Sequence, residues 1–424
     1  METESKTKRI LFINHAFGLS GSVISLGHMA EGFVKSGYEV FVINKNNDKG
    51  AAYLRECGAT VFCMHISIGL SLSAVVEEDL LNPLELLNFL KNFVKIPLGI
   101  FFTWYYIRKV SPSLLYLNEF VLPHCSLVGK LLGVPTVMHV RGPILEGRWG
   151  IRRRLLSKML VNWNDGIIAI TIIDGKQLFD KFQIGDKSRQ RVHVVHNVAE
   201  FVGRILEPNG SVASVKKQLG FREDARIVAM LGGVSKIKGT LEFVQAAQIL
   251  NGFLQDVVFV VAGPLHRGSN FGVVKRQTRR NKKYSKIVSQ FVQQENLLEH
   301  VKFLGEIRNV QNILECADVL VFPSTISHFA RPVIEAWSFR KPAIMTDTPH
   351  ARELIENDVD GLLVPMNDPQ RLADAIRRVL TDRELAHRLG ENGYQKVIRS
   401  YDAGVNCRRI TDICEELIEE NKHK

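Results

Sequence analysis

The stretch that decides the fold is VLVFPSTISHFARPVIEAWSFRKPAIMT, residues 319–346. It opens with the apolar run Val319–Phe322, which has the length of one buried strand. The next segment predicts a helix over Val333–Phe339, and a second apolar run follows at Ala343–Thr346. A strand, a helix and a strand in this order predict two parallel strands joined by a crossover helix. The stretch therefore predicts an α/β fold.

Outward from this stretch, apolar runs and helical segments alternate in two series, separated by the polar linker Glu207–Ser211. The pattern predicts an α/β protein of two Rossmann-like, doubly wound domains facing each other across a cleft. Residues 1–205 are assigned to the first domain, 206–395 to the second, and 396–424 to a C-terminal helix that returns to the first domain. Ligands of such folds bind beyond the carboxyl ends of the strands. The predicted strands are Ile10–Asn14, Glu39–Ile43, Val61–His65, Leu114–Leu117, Thr136–Val140, Gly166–Ile170 and Val192–Val195, then Ile227–Leu231, Val257–Ala262, Val301–Leu304, Val319–Phe322 and Ala343–Thr346.

The composition is that of a globular protein, with 46% apolar and 23% charged residues among 424. The formal net charge is +11, which favours anionic partners such as phosphates or an acidic lipid surface. The six cysteines include no CxxC pair, so neither a zinc site nor a disulfide framework is expected. The N-terminus is a poor signal peptide and a good first strand, which predicts a cytoplasmic protein.

Motif searches exclude several chemistries, since the chain has no HExxH, GxSxG or GxxxxGK[ST] pattern. A glycine-rich turn at Gly21 follows the first predicted strand and opens a helix. Backbone N–H groups there suit a phosphate or a sugar. A purely structural turn is the alternative. No metal site is predicted.

The second half carries the more informative pattern. Gly233 follows the strand Ile227–Leu231, and Lys238 stands at the start of the next helix, where a lysine suits a pyrophosphate. A solvated surface lysine is the alternative. The run Arg331, Pro332 and Val333 opens a helix whose N-terminus suits phosphate. Glu335, one turn further on, is placed to accept hydrogen bonds from ribose hydroxyls.

Together these residues resemble the family-four retaining glycosyltransferases of GT-B fold, and the resemblance covers nearly the whole chain. It implies metal-free transfer of a sugar from a nucleotide-diphosphate sugar, a co-substrate rather than a cofactor, with retention of anomeric configuration. It also implies that Lys238 holds the diphosphate, that Glu335 holds the ribose, and that the base lies near Phe303–Glu306. The matching positions are Ser20-Gly21-Ser22, Asn197, Lys238-Gly239, Ala262-Gly263, Gly305, Ala317-Asp318, Pro323-Ser324, Glu335-Ala336, Glu353 and the predicted turn Gly361–Pro365.

Three positions depart from the family pattern. Ser327 replaces the first signature glutamate, and Gly233 replaces a basic residue for which Arg331 is a candidate substitute. Arg141 stands where a histidine is often found, with His139 two residues earlier on the same strand face. His139, Arg141 and Ser327 are therefore the predicted catalytic residues, with a core histidine as the alternative for His139. A sugar-nucleotide epimerase of similar fold, or a non-catalytic nucleotide- or glycan-binding relative, remains an alternative function.

Two further segments bear on the partner. Leu86–Ile107 is apolar but broken by Lys91, Lys95 and Pro97, so it predicts either a packed helix or a helix lying on a membrane surface. His266–Lys286 is strongly basic and predicts either a solvated loop or a lipid-binding loop. No nucleic-acid motif occurs. The expected acceptor is a lipid-linked or polysaccharide glycan of cell-surface synthesis, at the inner membrane face.

Overall fold

The computed structural model describes residues 8–16, 18–70, 83–146, 148–179, 191–198, 211–254, 256–263, 272–307 and 310–423, with the backbone alone at 83–86, 88, 89, 148 and 272–282. The chain divides into two compact units, one of residues 1–198 with 403–424 and one of residues 199–402. The predicted boundary at residue 205 lies outside the described residues.

Unit 1 is built on a parallel seven-stranded sheet in the order β3-β2-β1-β4-β5-β6-β7. Among the described residues of this unit, six α-helices precede residue 198 and one, α15, comes from the C-terminal segment. The strands are β1 (Arg9–Ile13), β2 (Glu39–Asn44), β3 (Thr60–Cys63), β4 (Leu114–Leu117), β5 (Thr136–Val140), β6 (Gly166–Ala169) and β7 (Val192–Val194). The helices are α1 (Gly21–Lys35), α2 (Lys49–Glu56), α3 (Pro83–Val110), α4 (Pro123–Leu131), α5 (Ile151–Trp163), α6 (Ile172–Gln177) and α15 (Ala403–Lys422).

Both faces of this sheet are covered, which explains why β1 is apolar at every position except its first. Ile10 and Phe12 of β1 face a core shared with α1 and α15. Leu11 and Ile13 face a second core, shared with α3, α4 and α5. Alternate residues of a strand point to opposite faces, so a strand buried on both sides reads as a continuous apolar run.

Unit 2 has a parallel six-stranded sheet in the order β10-β9-β8-β11-β12-β13. Its strands are β8 (Arg226–Leu231), β9 (Val257–Ala262), β10 (Val301–Gly305), β11 (Val319–Phe322), β12 (Ala343–Thr346) and β13 (Leu362–Val364). Its helices are α7 (Val212–Gln218), α8 (Thr240–Asn251), α9 (Gly272–Gln294), α10 (Val310–Cys316), α11 (Arg331–Ser338), α12 (Pro349–Leu354), α13 (Pro369–Thr381) and α14 (Arg383–Ser400).

The predicted fold class, two Rossmann-like doubly wound domains, is confirmed. Three details of the sequence prediction are wrong. The predicted turn Gly361–Pro365 contains the strand β13, because its three residues pair with β12. The predicted basic loop is helical from Gly272 onward, in α9. The predicted start of the returning helix, residue 396, falls inside α14, and the chain re-enters unit 1 only at Ala403.

Each sheet has one point at which the strand order reverses direction. In unit 1 this switch point lies between β1 and β4, and in unit 2 it lies between β8 and β11. The loops after two such strands diverge to opposite faces of the sheet and leave a crevice beyond their carboxyl ends. The two switch points are therefore where a ligand site is expected.

Candidate functional site

Two loops meet at the switch point of unit 2, one after β8 and one after β11. The carbonyl of Ile237 in the first loop accepts hydrogen bonds from the Ser324 hydroxyl and the Thr325 backbone N–H of the second, both 2.9 Å long. The Thr325 hydroxyl donates to the Lys236 carbonyl at 3.1 Å. These bonds hold the two loops against each other and fix the position of Lys238.

Glycines make this close approach possible at two positions. Gly239 has φ +72°, and a Cβ placed there would collide with the carbonyl oxygen of Pro323. Gly263, after β9, has φ +128°, and its Cβ would collide with the backbone nitrogen of Gly233. Only glycine fits without strain at such positions. The Lys238-Gly239 and Ala262-Gly263 pairs of the sequence therefore have a steric explanation.

The Lys238 side chain is enclosed between the two loops. Its ammonium lies 2.9 Å from Nε2 of His328 and 4.7 Å from the centre of the Phe322 ring. Nδ1 of His328 lies 3.3 Å from the Ile326 carbonyl oxygen, which can only accept, so Nδ1 carries the proton and Nε2 accepts from Lys238. Burial lowers the pKa of Lys238 to about 8, and burial together with the Lys238 charge lowers the pKa of His328 to about 3. The pair is therefore a lysine cation beside a neutral imidazole.

Helix α11 begins at Arg331, and Pro332 lies in its first turn, which is the position that proline favours. The N–H of Val333 donates to the Ala330 carbonyl at 3.0 Å. Glu335 is buried, and its carboxylate pairs with Arg331 one turn earlier, at 2.9 Å between Nε and Oε1. The predicted phosphate-side cation and the predicted ribose-binding carboxylate are thus paired with each other.

Ser327 makes a second polar contact at the carboxyl edge of the unit 2 sheet. Its hydroxyl oxygen lies 2.8 Å from Nδ1 of His350 and accepts from the His350 backbone N–H at 3.3 Å. His350 is in the first turn of α12 and is buried. An imidazole therefore lies beside the position where the family pattern has a glutamate. The sequence prediction did not include His350, since nothing in the local sequence links it to Ser327.

At the carboxyl edge of the unit 1 sheet, side chains from neighbouring strands form a polar ladder. Asn14 donates to Asn44 at 2.7 Å, and Asn118 donates to Asn14 at 3.1 Å. Arg141 donates to Asn118 at 2.5 Å and to Asn197 at 3.4 Å. The ladder follows β1, β2, β4, β5 and β7 and crosses the switch point. It places Arg141 among the strand-end residues, where the sequence predicted it.

His139 lies elsewhere. It is in the interior of β5, it is 2% exposed, and its Nδ1 is 2.7 Å from the Tyr116 hydroxyl in the core. Burial holds its pKa well below the usual range, so the imidazole is neutral. This placement fits the core-histidine alternative and removes the basis for a proton relay. Residues two apart in a strand point to the same face, which is why the sequence grouped positions 139 and 141. However, β5 ends at Val140, so only Arg141 lies beyond the end of the strand.

Glu119 is a candidate site residue that the sequence prediction did not include. It follows Asn118 directly after β4, and its φ of +154° is unusual for a residue with a Cβ. Its carboxylate accepts from the N–H of Phe120 at 2.9 Å and that of Arg141 at 3.4 Å, while burial raises its pKa to about 7. His15, after β1, lies 3.2 Å from the Asn118 carbonyl, and burial lowers its pKa to about 4. The sequence feature that could have indicated Glu119 is the polar pair Asn118-Glu119, directly after the buried strand β4.

The other predicted residue of unit 1, Gly21, is the first residue of α1. The Ser20 side chain makes no capping hydrogen bond, so the N-terminus of α1 has no side-chain cap. Within the described ranges, no group of three or more His, Cys, Asp or Glu residues is arranged to hold a metal ion.

Comparison with protein families finds a match, which falls within unit 2. Residues 212–396 match the family model described as glycosyl transferases group 1. The chain is 25% identical over 205 residues to the UDP-Gal:alpha-D-GlcNAc-diphosphoundecaprenol alpha-1,3-galactosyltransferase of Escherichia coli, covering 48% of this chain and 49% of that protein. It is 32% identical over 274 residues to an uncharacterized glycosyltransferase of Methanocaldococcus jannaschii, covering 63% and 65%. The matches thus span about half to two-thirds of these relatives.

A solved structure extends the likeness to both units. The HepE protein of Anabaena, in complex with UDP and glucose, superimposes with a TM-score of 0.73 at 16% identity, covering 95% of this chain and 98% of that chain. At this identity the likeness concerns the fold. The two parallel-sheet units therefore share the fold of that protein.

Proposed function

We propose, from the premise that residues 212–396 belong to the glycosyl transferases group 1 family within a chain of GT-B fold, that this protein is a glycosyltransferase. It moves a sugar from a nucleotide-diphosphate sugar to a lipid-linked or polysaccharide acceptor, with retention of anomeric configuration and without a metal. The single observation that carries the proposal is the enclosed Lys238 at the switch point of unit 2.

The donor diphosphate is held by Lys238 and by the N-terminus of α11. In the free protein the Lys238 ammonium donates to a neutral histidine, which leaves its full charge for an anion. The N-terminus of α11 adds a partial positive charge. Both groups offset part of the phosphate charge without a divalent cation, which supports a metal-free reaction.

The ribose is held by Glu335. Glu335 is 4% exposed and its carboxylate is already bonded to Arg331, so its orientation is fixed before the donor arrives. Donor binding adds hydroxyl donors to the same carboxylate. Arg331 keeps its guanidinium at the surface of α11, where it supplies the positive charge that Gly233 lacks. Ser327 and His350 lie at the same edge as candidate contacts to the transferred sugar.

The acceptor is handled by unit 1. The ladder through Arg141 fixes the polar groups at the carboxyl edge of the sheet, and Glu119 presents a carboxyl group beside it. A carboxyl group with a pKa about 7 suits a hydroxyl acceptor, because it can accept that proton near neutral pH. The galactosyltransferase of Escherichia coli, named for a diphosphoundecaprenol substrate, supports a lipid-linked acceptor in cell-surface glycan synthesis. Peripheral attachment to the cytoplasmic membrane face follows from such an acceptor.

The test is turnover with a panel of sugar nucleotides, first with water and then with short soluble glycan and lipid-linked acceptors, read by mass spectrometry in the presence of a chelator. The proposal expects a new glycoside from at least one pair, with the donor's anomeric configuration kept. Conversion of the donor without an acceptor indicates the epimerase alternative. Tight donor binding without turnover on any acceptor indicates a non-catalytic relative.

A further inference from the structure

Helix α3 has one buried side and one exposed apolar side. Ile107 and Val110 are buried in the core shared with α4 and α5, and Phe102 and Tyr106 pack against that core. The 28-residue helix Pro83–Val110 is therefore anchored to unit 1 along its C-terminal half. The packed-helix prediction for this segment therefore explains the buried side of α3 but not its exposed apolar side.

The exposed side carries large apolar and aromatic residues at helical spacing. Phe93, Val94, Phe101, Trp104 and Tyr105 have exposed fractions of 65%, 64%, 54%, 45% and 43%. At about 100° per residue, these positions fall within a single sector of the helix surface. Scattered surface hydrophobics are ordinary, but a contiguous stripe of this kind marks an interaction surface.

The charged residues of α3 from Lys91 onward are all basic. Lys91 and Lys109 are exposed beside it, and Arg108 closes its C-terminal end. The sequence has no Asp or Glu between Glu85 and Glu119. The stripe therefore combines apolar side chains with cations, and residues 86–118 contain no acidic residue that could neutralise those cations.

A second exposed group lies on the same side of unit 1. Helices α3, α4 and α5 all pack on one face of the sheet, with α4 in contact with both others. Trp149, directly before α5, is 82% exposed and has φ +55°, a strained conformation for a bulky residue. Ile151 and Leu155 of α5 are exposed together with the basic residues Arg154 and Lys158.

We propose that the exposed stripe of α3, together with Trp149 and the exposed side of α5, is the surface by which unit 1 docks on an anionic lipid bilayer. The proposal rests on the proposed transfer to a lipid-linked acceptor and names the surface that brings the enzyme to it. Tryptophan and tyrosine favour the level of the lipid headgroups, and lysine and arginine are attracted to acidic lipid. The helix lies on the bilayer, and no helix among the described residues is long and apolar enough to cross one.

A second copy of the chain is a poorer occupant of this surface. In a two-fold symmetric dimer the same patch meets itself. The cations of residues 86–118 and 147–164 would then face identical cations, because neither segment contains an acidic residue. An anionic bilayer supplies the complementary charge.

The test compares flotation of the full chain with vesicles of phosphatidylcholine alone and vesicles that also contain phosphatidylglycerol. The variant Phe101→Ser/Trp104→Ser removes two exposed side chains of the stripe. The matched control, Phe253→Ser/Leu298→Ser, removes two exposed apolar side chains of unit 2, with exposed fractions of 70% and 58%. The proposal expects the stripe variant to lose at least roughly tenfold in partitioning to anionic vesicles, because two buried apolar contacts with lipid are lost. The control variant keeps wild-type partitioning.

Two further variants separate the contributions of charge and of α9. Lys91→Gln/Lys109→Gln should reduce the preference for phosphatidylglycerol and its sensitivity to salt. Replacing Arg279, Arg280, Lys282 and Lys283 with serine tests the basic segment that the sequence singled out. Wild-type partitioning of the stripe variant overturns the proposal, whether or not the α9 variant detaches. A stripe variant that changes only the oligomeric state also overturns it, in favour of a second copy.

Donor affinity and turnover on a soluble acceptor, measured on the same stripe variant, should equal those of the wild type. A protein that transfers sugar to a soluble acceptor yet ignores anionic vesicles contradicts the docking surface alone. A protein that floats with vesicles yet transfers no sugar contradicts the proposed function alone.

Discussion

At the scale of single residues, the account depends most on the charge of Lys238. Burial holds the pKa of its ammonium at about 8, and a bound diphosphate raises that pKa by favouring the charged form. The free protein therefore loses the charge as the pH rises through about 8, while the complex retains it to a higher pH. Donor affinity should be flat below that pH and should fall by up to roughly tenfold per unit above it.

Calorimetric titration of UDP over this pH range measures the effect directly, and buffers of different ionisation enthalpy report the accompanying proton uptake. In Lys238→Met the pH dependence should vanish. A wild-type dissociation constant that does not change between neutral and alkaline pH would show that Lys238 does not contact the phosphates.

Glu335 gives a second prediction at this scale. Glu335→Ala removes a hydrogen bond to a charged group, which is worth about 1.5–3 kcal/mol, or roughly 10- to 150-fold in donor dissociation constant. The exposed Glu384, in the first turn of α14, is not among the candidate site residues, so Glu384→Ala serves as the control. Unchanged donor affinity in a folded Glu335→Ala protein would remove this residue from the site.

Glu119 gives a third prediction at this scale. Burial raises its pKa to about 7, so its carboxylate form is lost as the pH falls through neutrality. If it contacts the acceptor, kcat/KM for the acceptor should decline below about pH 7 in the wild type, and Glu119→Gln should lower kcat/KM and abolish that limb. Donor affinity should stay the same, and the exposed Glu56→Gln should behave as the wild type. A Glu119→Gln enzyme that keeps the wild-type profile would contradict the assignment.

The residue scale is also where sequence reasoning was least complete. It proposed Lys238, Arg331 and Glu335 as candidates from their positions at the starts of helices, but it did not pair Arg331 with Glu335 or Lys238 with His328. Those pairs are set by where a loop closes, which spacing alone does not fix. His139 was ambiguous for a related reason, since one residue of difference in the end of β5 decides whether a side chain is core or edge.

At the scale of elements, the loop between β8 and α8 depends on Gly239. An alanine there would meet both a φ of +72° and the Pro323 carbonyl, so Gly239→Ala should lower the free energy of unfolding by about 1–3 kcal/mol. Gly252, after the other end of α8, has φ −77° and open space around it. Gly252→Ala should therefore be neutral or stabilising by up to about 1 kcal/mol. Denaturant titration of both variants checks the pair, and equal effects would contradict the steric explanation.

Most strands could be predicted from the sequence, because strands buried on both faces form continuous apolar runs that end at polar residues. Leu114–Leu117, Thr136–Val140 and Val257–Ala262 have the predicted limits. The strand β13 was missed because the flanking Gly361 and Pro365 favour a turn, and its pairing with β12 is a tertiary contact. The basic segment was assigned to a loop from its charge, although α9 has no internal proline or glycine beyond its first residue to stop a helix.

At the scale of the whole molecule, the two strand–helix series predicted the two sheets, and the switch points located both candidate sites. The sequence could not show that α14 stays in unit 2 while α15 returns to unit 1, because both are amphipathic helices of similar composition. The sequence also could not show which side of α3 faces solvent. An apolar helix has the same sequence pattern whether one side or both sides are buried.

The central claim is that unit 2 binds a sugar nucleotide through Lys238 at its switch point. The most direct measurement is the dissociation constant of UDP and of the best sugar nucleotide for the wild type, Lys238→Met and the matched control Lys236→Met, an exposed lysine in the same loop. The account predicts a loss of roughly 10- to 150-fold for Lys238→Met and no change for Lys236→Met, with thermal stability preserved in both. Equal affinity in all three proteins, or no binding of any sugar nucleotide by the wild type, would contradict it.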